Sequence, residues 1–152
     1  MSPRLNPYGS HVALVQPLID YARTIEARLE PRLAELVKIR ASQINGCAVC
    51  LQMHSADARK HGETEERIRM LDAWHEAPIY TPRERAALAW TEALTRLSQT
   101  HAPDADYEAL KAQFTEEEQV NLTLLIGVIN SFNKLGVGFR VPPLGLAAQK
   151  AA

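Results

Sequence analysis

The sequence predicts an all-α fold, a single-domain bundle of six or seven helices. Apolar residues recur at steps of three and four along almost the whole chain, whereas no run shows the period of two that marks a strand. Thr81 with Glu84, and Thr115 with Glu118, form the capping-box pattern that opens helices. A length of 152 residues with 46% hydrophobic and 23% charged residues fits one domain with a buried core.

The N-terminal half predicts an irregular arm, residues 1–16, followed by three helices. The first helix has an apolar face made of Leu14, Leu18, Tyr21, Ile25 and Leu29. Pro31 ends that helix and opens the second, which extends to residue 44. Asn45 and Gly46 then break the chain because both tolerate a positive φ. The third helix starts near residue 47 and stops at Gly62.

The C-terminal half predicts four more helices, joined by short connections. Their expected ranges are 64–74, 81–97, 103–114 and 116–135, and the last is apolar nearly all round. Such a helix suits the centre of a domain or a subunit interface. We expect a helical domain over residues 17–140 and a tail over 141–152, because glycine and proline accumulate from Gly136 onwards.

Bulk properties argue against several classes of partner. The formal net charge is −1 and basic residues do not cluster, so we expect no nucleic-acid binding. The longest apolar stretch, residues 122–129, is far shorter than the roughly 20 residues of a membrane span, so we expect no membrane association. The N-terminus lacks the apolar core of a signal peptide, which favours a cytoplasmic protein with reduced thiols at rest.

The two cysteines of the chain, Cys47 and Cys50, stand three residues apart. A disulfide across so short a loop constrains the unfolded chain very little, so redox chemistry explains the pair better than stability does. Two alternatives remain at this stage. The pair could bind zinc together with His54, although a structural zinc site takes four ligands. It could also be two small buried apolar residues.

Helical spacing places further chemistry beside this pair. Positions 47, 50 and 54 share one face of a helix, and Cys47 at the helix start lies where unpaired N–H groups favour a thiolate. Histidine is the side chain that exchanges protons near neutral pH, so His54 is a candidate acid or base. If residues 32–44 and 47–60 form an antiparallel hairpin, Glu35 lies about three turns from the bend, as His54 does. Glu35 is therefore expected to reach and orient the imidazole.

The pattern of Glu35, Cys47, Cys50 and His54 resembles the alkylhydroperoxidase D-like branch of the carboxymuconolactone decarboxylase superfamily. Residues 84–95 and 128–135 are similar to that family's downstream helices, so the likeness extends over roughly residues 15–140. It implies an all-helical fold, assembly as homo-trimers or homo-hexamers, and no metal or prosthetic group. It also implies a peroxidase or disulfide reductase that acts on a hydroperoxide and takes electrons from a dithiol or a redox protein.

The resemblance also implies roles for the four residues. The family's second cysteine, here Cys50, reacts with peroxide and the first, here Cys47, resolves it, whereas the helix start favours Cys47 as the more reactive thiol. We therefore take both as catalytic, with Glu35 and His54 as a proton relay. Val49 stands where peroxidase members carry a second histidine, which favours dithiol exchange over fast peroxide reduction. The alternative is a redox-sensing or scaffold oligomer without enzymatic activity. Decarboxylation is not expected, because the decarboxylase branch of the superfamily normally lacks the cysteine pair.

Overall fold

Helices make up the regular structure of residues 2–145, which are the residues that this computed structural model describes. In chain order they are α1 (Val12–Glu26), α2 (Pro31–Asn45), α3 (Ala48–Lys60), α4 (Glu65–Met70), α5 (Pro82–Thr95), α6 (Leu97–Thr100), α7 (Asp104–Lys111) and α8 (Glu116–Phe139). A 3-10 turn at Leu71–Ala73 follows α4. No strand occurs in the described part of the chain, and the all-α prediction is confirmed.

The helix count exceeds the predicted six or seven because the helix expected through Leu97 breaks at Arg96. The backbone of Arg96 leaves the helical region at φ −103° and ψ 32°. The Thr100 hydroxyl then donates to the Ala93 carbonyl at 2.6 Å and satisfies an acceptor at the end of α5. Residues 97–100 consequently form a separate turn, α6.

The predicted apolar face of α1 is partly wrong. Ile25 and Leu29 are buried, but Leu14 is 82% exposed and Tyr21 is 45% exposed. The helix begins at Val12, inside the segment predicted as an arm, and its inward face carries Val15 and Ala22 instead. Steps of three and four residues therefore do not by themselves distinguish the buried side chains of this helix from the exposed Leu14 and Tyr21.

Helix α8 is the central element of the bundle. It packs against α1, α2, α3, α5 and α7. The side chains of Leu122, Leu125, Ile126 and Ile129 are almost completely buried, whereas Val120, Leu124 and Val137 remain exposed. By length and composition α8 would be able to cross a membrane, a test that core helices of soluble proteins also pass. It ends at Phe139, four residues beyond the predicted end.

The α2–α3 hairpin turns where the sequence predicts it. Gly46 adopts φ 66°, in the left-handed region that glycine enters without strain. The backbone N–H of Cys47 donates to the Ser42 carbonyl at 3.0 Å and closes the end of α2. Helix α2 packs against α3, α5 and α8.

The arm and the tail both run near the end of α8. The backbone N–H of Arg4 donates to the Phe139 carbonyl at 3.0 Å, and its guanidinium donates to the Gly138 carbonyl at 3.1 Å. The Gln52 amide exchanges two hydrogen bonds of 2.6 Å with the backbone N–H and carbonyl of Leu144. Of the predicted tail, residues 146–152 lie outside the described residues.

Candidate redox site

Cys47 and Cys50 form a disulfide at the start of α3. Cys47 is the N-cap residue, with an extended backbone, and Cys50 lies in the first turn of the helix. Their Cα atoms are 5.4 Å apart, and both side chains are buried. The predicted CxxC at a helix N-terminus is confirmed, although Cys47 precedes the first turn rather than lying within it.

Gly136 of α8 lies against this disulfide. A Cβ atom at this position would be 2.6 Å from Cys47 Sγ and 3.2 Å from Val49 Cγ1, which is too close for any other residue. Val141, just beyond α8, also packs against the cluster of Cys47, Val49 and Cys50. The sequence predicts that the last helix ends at residue 135, just before Gly136, although a glycine next to an apolar helical pattern is itself a sign of close packing.

His54 and Glu35 meet across the hairpin. His54 Nδ1 lies 3.1 Å from Glu35 Oε2, and Glu35 is buried with 5% of its surface exposed. Because an ionised carboxylate only accepts hydrogen bonds, the shared proton lies on Nδ1 and leaves Nε2 as the basic nitrogen. The contact required for a relay is therefore present, while the roles of both residues stay predictions.

Lys38 is a third member of this group and is not among the site residues predicted from the sequence. Its Nζ lies 2.7 Å from Glu35 Oε1 and 2.9 Å from Glu26 Oε1, and only 5% of its side chain is exposed. A lysine is rarely buried unless it is paired. The sequence signal was its position between the apolar residues Val37 and Ile39, where a charge requires a partner.

These contacts determine the charge of Glu35. Burial raises the pKa of the Glu35 carboxyl, but the hydrogen bonds from His54 and Lys38 and the positive charge of Lys38 outweigh burial. The net pKa lies below its usual value, so Glu35 is ionised at neutral pH.

A partly buried amide network connects the hairpin turn to α8. Asn45 Nδ2 donates to Asn130 Oδ1 at 2.8 Å and to Asn133 Oδ1 at 2.9 Å. Asn133 in turn donates to the Ser42 hydroxyl at 3.0 Å. These bonds fix the residues that immediately precede Cys47 relative to the helix that packs on the disulfide.

Metal-ligating atoms also come together at this site. Glu35, His54 and Asp57 offer three ligand atoms within 4.8 Å of one another. However, Lys38 binds one oxygen of Glu35 and Lys60 binds Asp57 at 2.6 Å, so ammonium groups already supply the positive charge. The zinc set considered from the sequence does not form here, because each sulfur is bonded to the other and His54 faces Glu35. The arrangement suits proton transfer better than metal binding.

Comparisons with known proteins agree with this architecture. Residues 13–93 match the carboxymuconolactone decarboxylase family model. The chain is 40% identical over 138 residues to the uncharacterized protein YdfG of Bacillus subtilis, which covers 90% of this chain and 94% of that protein. A crystal structure of a protein of unknown function from Agrobacterium tumefaciens, called a putative antioxidant defence protein AhpD, has a TM-score of 0.87 at 40% identity. That match covers 93% of this chain and 98% of the other.

A shorter match involves a protein with a named activity. Over 34 residues, 22% of this chain, the sequence is 53% identical to alkyl hydroperoxide reductase AhpD of Hyphomonas neptunium, of which 19% is covered. An all-α bundle with a disulfide-forming CxxC at a helix start defines an AhpD-like protein. The chain belongs to the carboxymuconolactone decarboxylase family, and the resemblance predicted from its sequence is confirmed.

Proposed function

We propose that this protein is a cytoplasmic dithiol-dependent oxidoreductase that reduces hydroperoxides or disulfides through Cys47 and Cys50. The observation that carries the proposal is the Cys47–Cys50 disulfide at the start of α3, with His54 one helical turn beyond Cys50 and paired with the buried Glu35. A cross-link over three residues adds little stability, so its formation and reduction are better explained as steps of a reaction. The AhpD-like fold supports a hydroperoxide as the oxidant.

The reaction proceeds in two halves. One thiolate attacks an oxygen of the hydroperoxide, the O–O bond breaks, the sulfur becomes a sulfenic acid, and the alkoxide leaves as an alcohol after taking a proton. The other thiolate attacks the sulfenic sulfur, water leaves with a second proton, and the disulfide forms. A dithiol donor then returns two electrons and two protons through a mixed disulfide and is itself released as a disulfide.

The Glu35–His54 pair supplies the proton transfers. Glu35 holds the imidazole through Nδ1, so Nε2 accepts a proton from a cysteine thiol and returns it to a leaving group. Either cysteine fits the role of attacking thiol: the resemblance favours Cys50, whereas the position at the helix start favours Cys47. Separate Cys47→Ser and Cys50→Ser variants distinguish them, because only the variant that keeps the attacking thiol forms a sulfenic acid.

The test measures turnover of cumene hydroperoxide with dihydrolipoamide as the electron donor. We expect the Cys47→Ser, Cys50→Ser double variant to fall to the rate without protein. Glu35→Gln and His54→Asn should slow turnover by about 100-fold, the lower range for loss of a general acid or base. Wild-type protein no faster than the double variant would disprove the peroxidase form of the proposal.

A second candidate is supported by Val49. This residue is 8% exposed and packs with both cysteines, in the position where peroxidase members of the branch carry a histidine. A redox-sensing or scaffold oligomer would form the disulfide with mild oxidant but show no catalytic turnover. Rapid disulfide formation without hydroperoxide consumption, measured by thiol alkylation and mass spectrometry, would favour this alternative.

We also propose a homo-oligomer, a trimer or hexamer. Apolar side chains on α1 and α8 support it, since Leu14 is 82% exposed and Val120 is 61% exposed. Light scattering coupled to size-exclusion chromatography measures the mass directly, and a monomer would contradict the assignment.

A further inference from the structure

Lys38 is a buried charge that the proposed reaction does not itself use. We propose that Lys38, held by Glu26, is a positioning residue that fixes the orientation and the charge of the Glu35–His54 relay. This inference rests on the proton relay of the proposed function, and its test is designed so that the two can fail separately.

The geometry shows how Lys38 acts through Glu35. Lys38 lies three residues after Glu35 on α2, so both side chains are on one face of that helix. Its ammonium group donates a hydrogen bond to Glu35 Oε1, while His54 Nδ1 donates to Oε2. The carboxylate therefore accepts a hydrogen bond at each of its oxygens. This arrangement orients the imidazole and keeps Nε2 free.

Glu26, at the end of α1, determines how strongly the positive charge of Lys38 acts on the Glu35–His54 relay. Lys38 Nζ lies almost equally far from Glu26 and Glu35, at 2.9 Å and 2.7 Å. With both carboxylates ionised, Glu26, Glu35 and Lys38 together carry one excess negative charge. His54 is the side chain that faces this charge. Without Glu26 that excess disappears, and without Lys38 it doubles.

The other charged groups near the relay do not take the place of Glu26 and Lys38, because they pair with partners of their own. From α3, Asp57 faces the pair, but Lys60 binds Asp57 at 2.6 Å and balances it. From α5, Glu92 pairs with Arg40 at 2.8 Å instead of approaching Glu35.

From α8, the side chains that hydrogen-bond α2 near the hairpin turn are the neutral amides of Asn130 and Asn133. There Asn133 donates to the hydroxyl of Ser42. Among the charged groups named here, Lys38 is thus the one that hydrogen-bonds Glu35, and Glu26 is the one that shares this lysine with it.

The test compares two variants that should move the pH profile in opposite directions. Lys38→Met removes a positive charge, so the pair binds its proton more tightly and the acid limb of the pH–rate profile moves up by about one pH unit. Glu26→Gln removes a negative charge from a side chain that is 35% exposed, so the acid limb moves down by about half a unit. The double variant restores the net charge and should lie close to wild type.

Controls separate charge from packing. Lys38→Arg keeps the charge and should keep the acid limb within about 0.3 units of wild type. Lys111 and Glu108 form an exposed pair with the same three-residue spacing on α7, so Lys111→Met and Glu108→Gln should not move the profile. Circular dichroism verifies folding, and if Lys38→Met does not fold, Glu26→Gln and Lys38→Arg still decide the question.

The outcomes distinguish this inference from the proposed function. If Lys38→Met and Glu26→Gln shift the profile in the same direction, or neither shifts it, while Glu35→Gln abolishes activity, Lys38 is only structural and the inference is overturned. If Glu35→Gln and His54→Asn behave like wild type, there is no proton relay. The relay of the proposed function and the positioning role of Lys38 then both fail. Opposite shifts with a restored double variant support the inference.

Discussion

Single charged residues inside the bundle determine the hydrogen bonding of the proposed proton relay. Glu35 and Lys38 are 5% and 4% exposed, and an isolated charge at such a depth would be strongly destabilising. Each is stable there because the other, with His54 and Glu26, completes its hydrogen bonds. The same contacts that make burial tolerable also leave His54 with one defined basic nitrogen.

Glu35 should make the stability of the protein pH-dependent. Its folded-state pKa lies below the unfolded value of about 4.3, so its stabilising contribution is complete above that pH and is lost as pH falls through the folded-state pKa. At pH 7 we expect Glu35→Gln to lower the free energy of unfolding by about 2 kcal/mol. The difference from wild type should shrink as the pH falls below about 4.

Urea unfolding across this pH range measures the effect of Glu35→Gln. Glu66→Gln is the matched control, because Glu66 lies on the exposed face of α4 and should produce no such pH dependence. A Glu35→Gln difference that does not change between pH 7 and pH 3 would show that the pKa of Glu35 is the same in the folded and the unfolded protein.

At the scale of elements, local signals in the sequence predict where helices start and how the hairpin turns. Both capping boxes form as expected, with the Thr81 and Thr115 side chains accepting from the backbone of Glu84 and Glu118. Gly46 turns the chain so that Glu35 meets His54, since those distances depend only on helix geometry. The break at Arg96 depends on a side chain four residues away, Thr100, and the inward face of α1 depends on contacts with α8.

Helix α8 offers a direct test of its packing on the disulfide. Gly136→Ala would place a Cβ 2.6 Å from Cys47 Sγ, so we expect a loss of about 1–3 kcal/mol from overpacking despite the better helix propensity of alanine. Gly127→Ala lies in the same helix with nothing within 4 Å of its Cβ, and should stabilise the protein by up to about 1 kcal/mol. Thermal unfolding of the oxidised proteins measures both, and an equal effect of the two substitutions would rule out close packing at Gly136.

Considered as a whole molecule, the site combines residues that are adjacent in the sequence with residues that are distant. The sequence predicts Cys47, Cys50, His54 and Glu35 because they lie on one hairpin, where helical spacing fixes their relation. It does not predict that Gln52 binds Leu144, 92 residues away, or that Asn133 binds Ser42, 91 residues away. Those partners depend on where α8 and the tail pack, and no local pattern encodes that arrangement.

The segment after α8 should control access to the disulfide. Val141 packs on the cysteine cluster, and the Gln52 amide holds Leu144 through two hydrogen bonds. Gln52→Ala removes both bonds at a half-buried position, at a cost of about 1 kcal/mol to the closed arrangement, which raises the open population about fivefold. Reduction of the disulfide by dithiothreitol, followed by alkylation and mass spectrometry, should accelerate by a similar factor.

Gln16→Ala is the matched control for that measurement. Gln16 is also a half-buried glutamine, and its amide donates to Asp20 at 2.8 Å within α1. Its removal should leave the rate of reduction unchanged, because α1 holds no part of the segment beyond α8. If Gln52→Ala is reduced no faster than Gln16→Ala, the segment does not limit access, and the reductant must reach the buried sulfurs from another side. If only Gln52→Ala accelerates, a redox partner would have to displace residues 141–145 before its thiolate can attack.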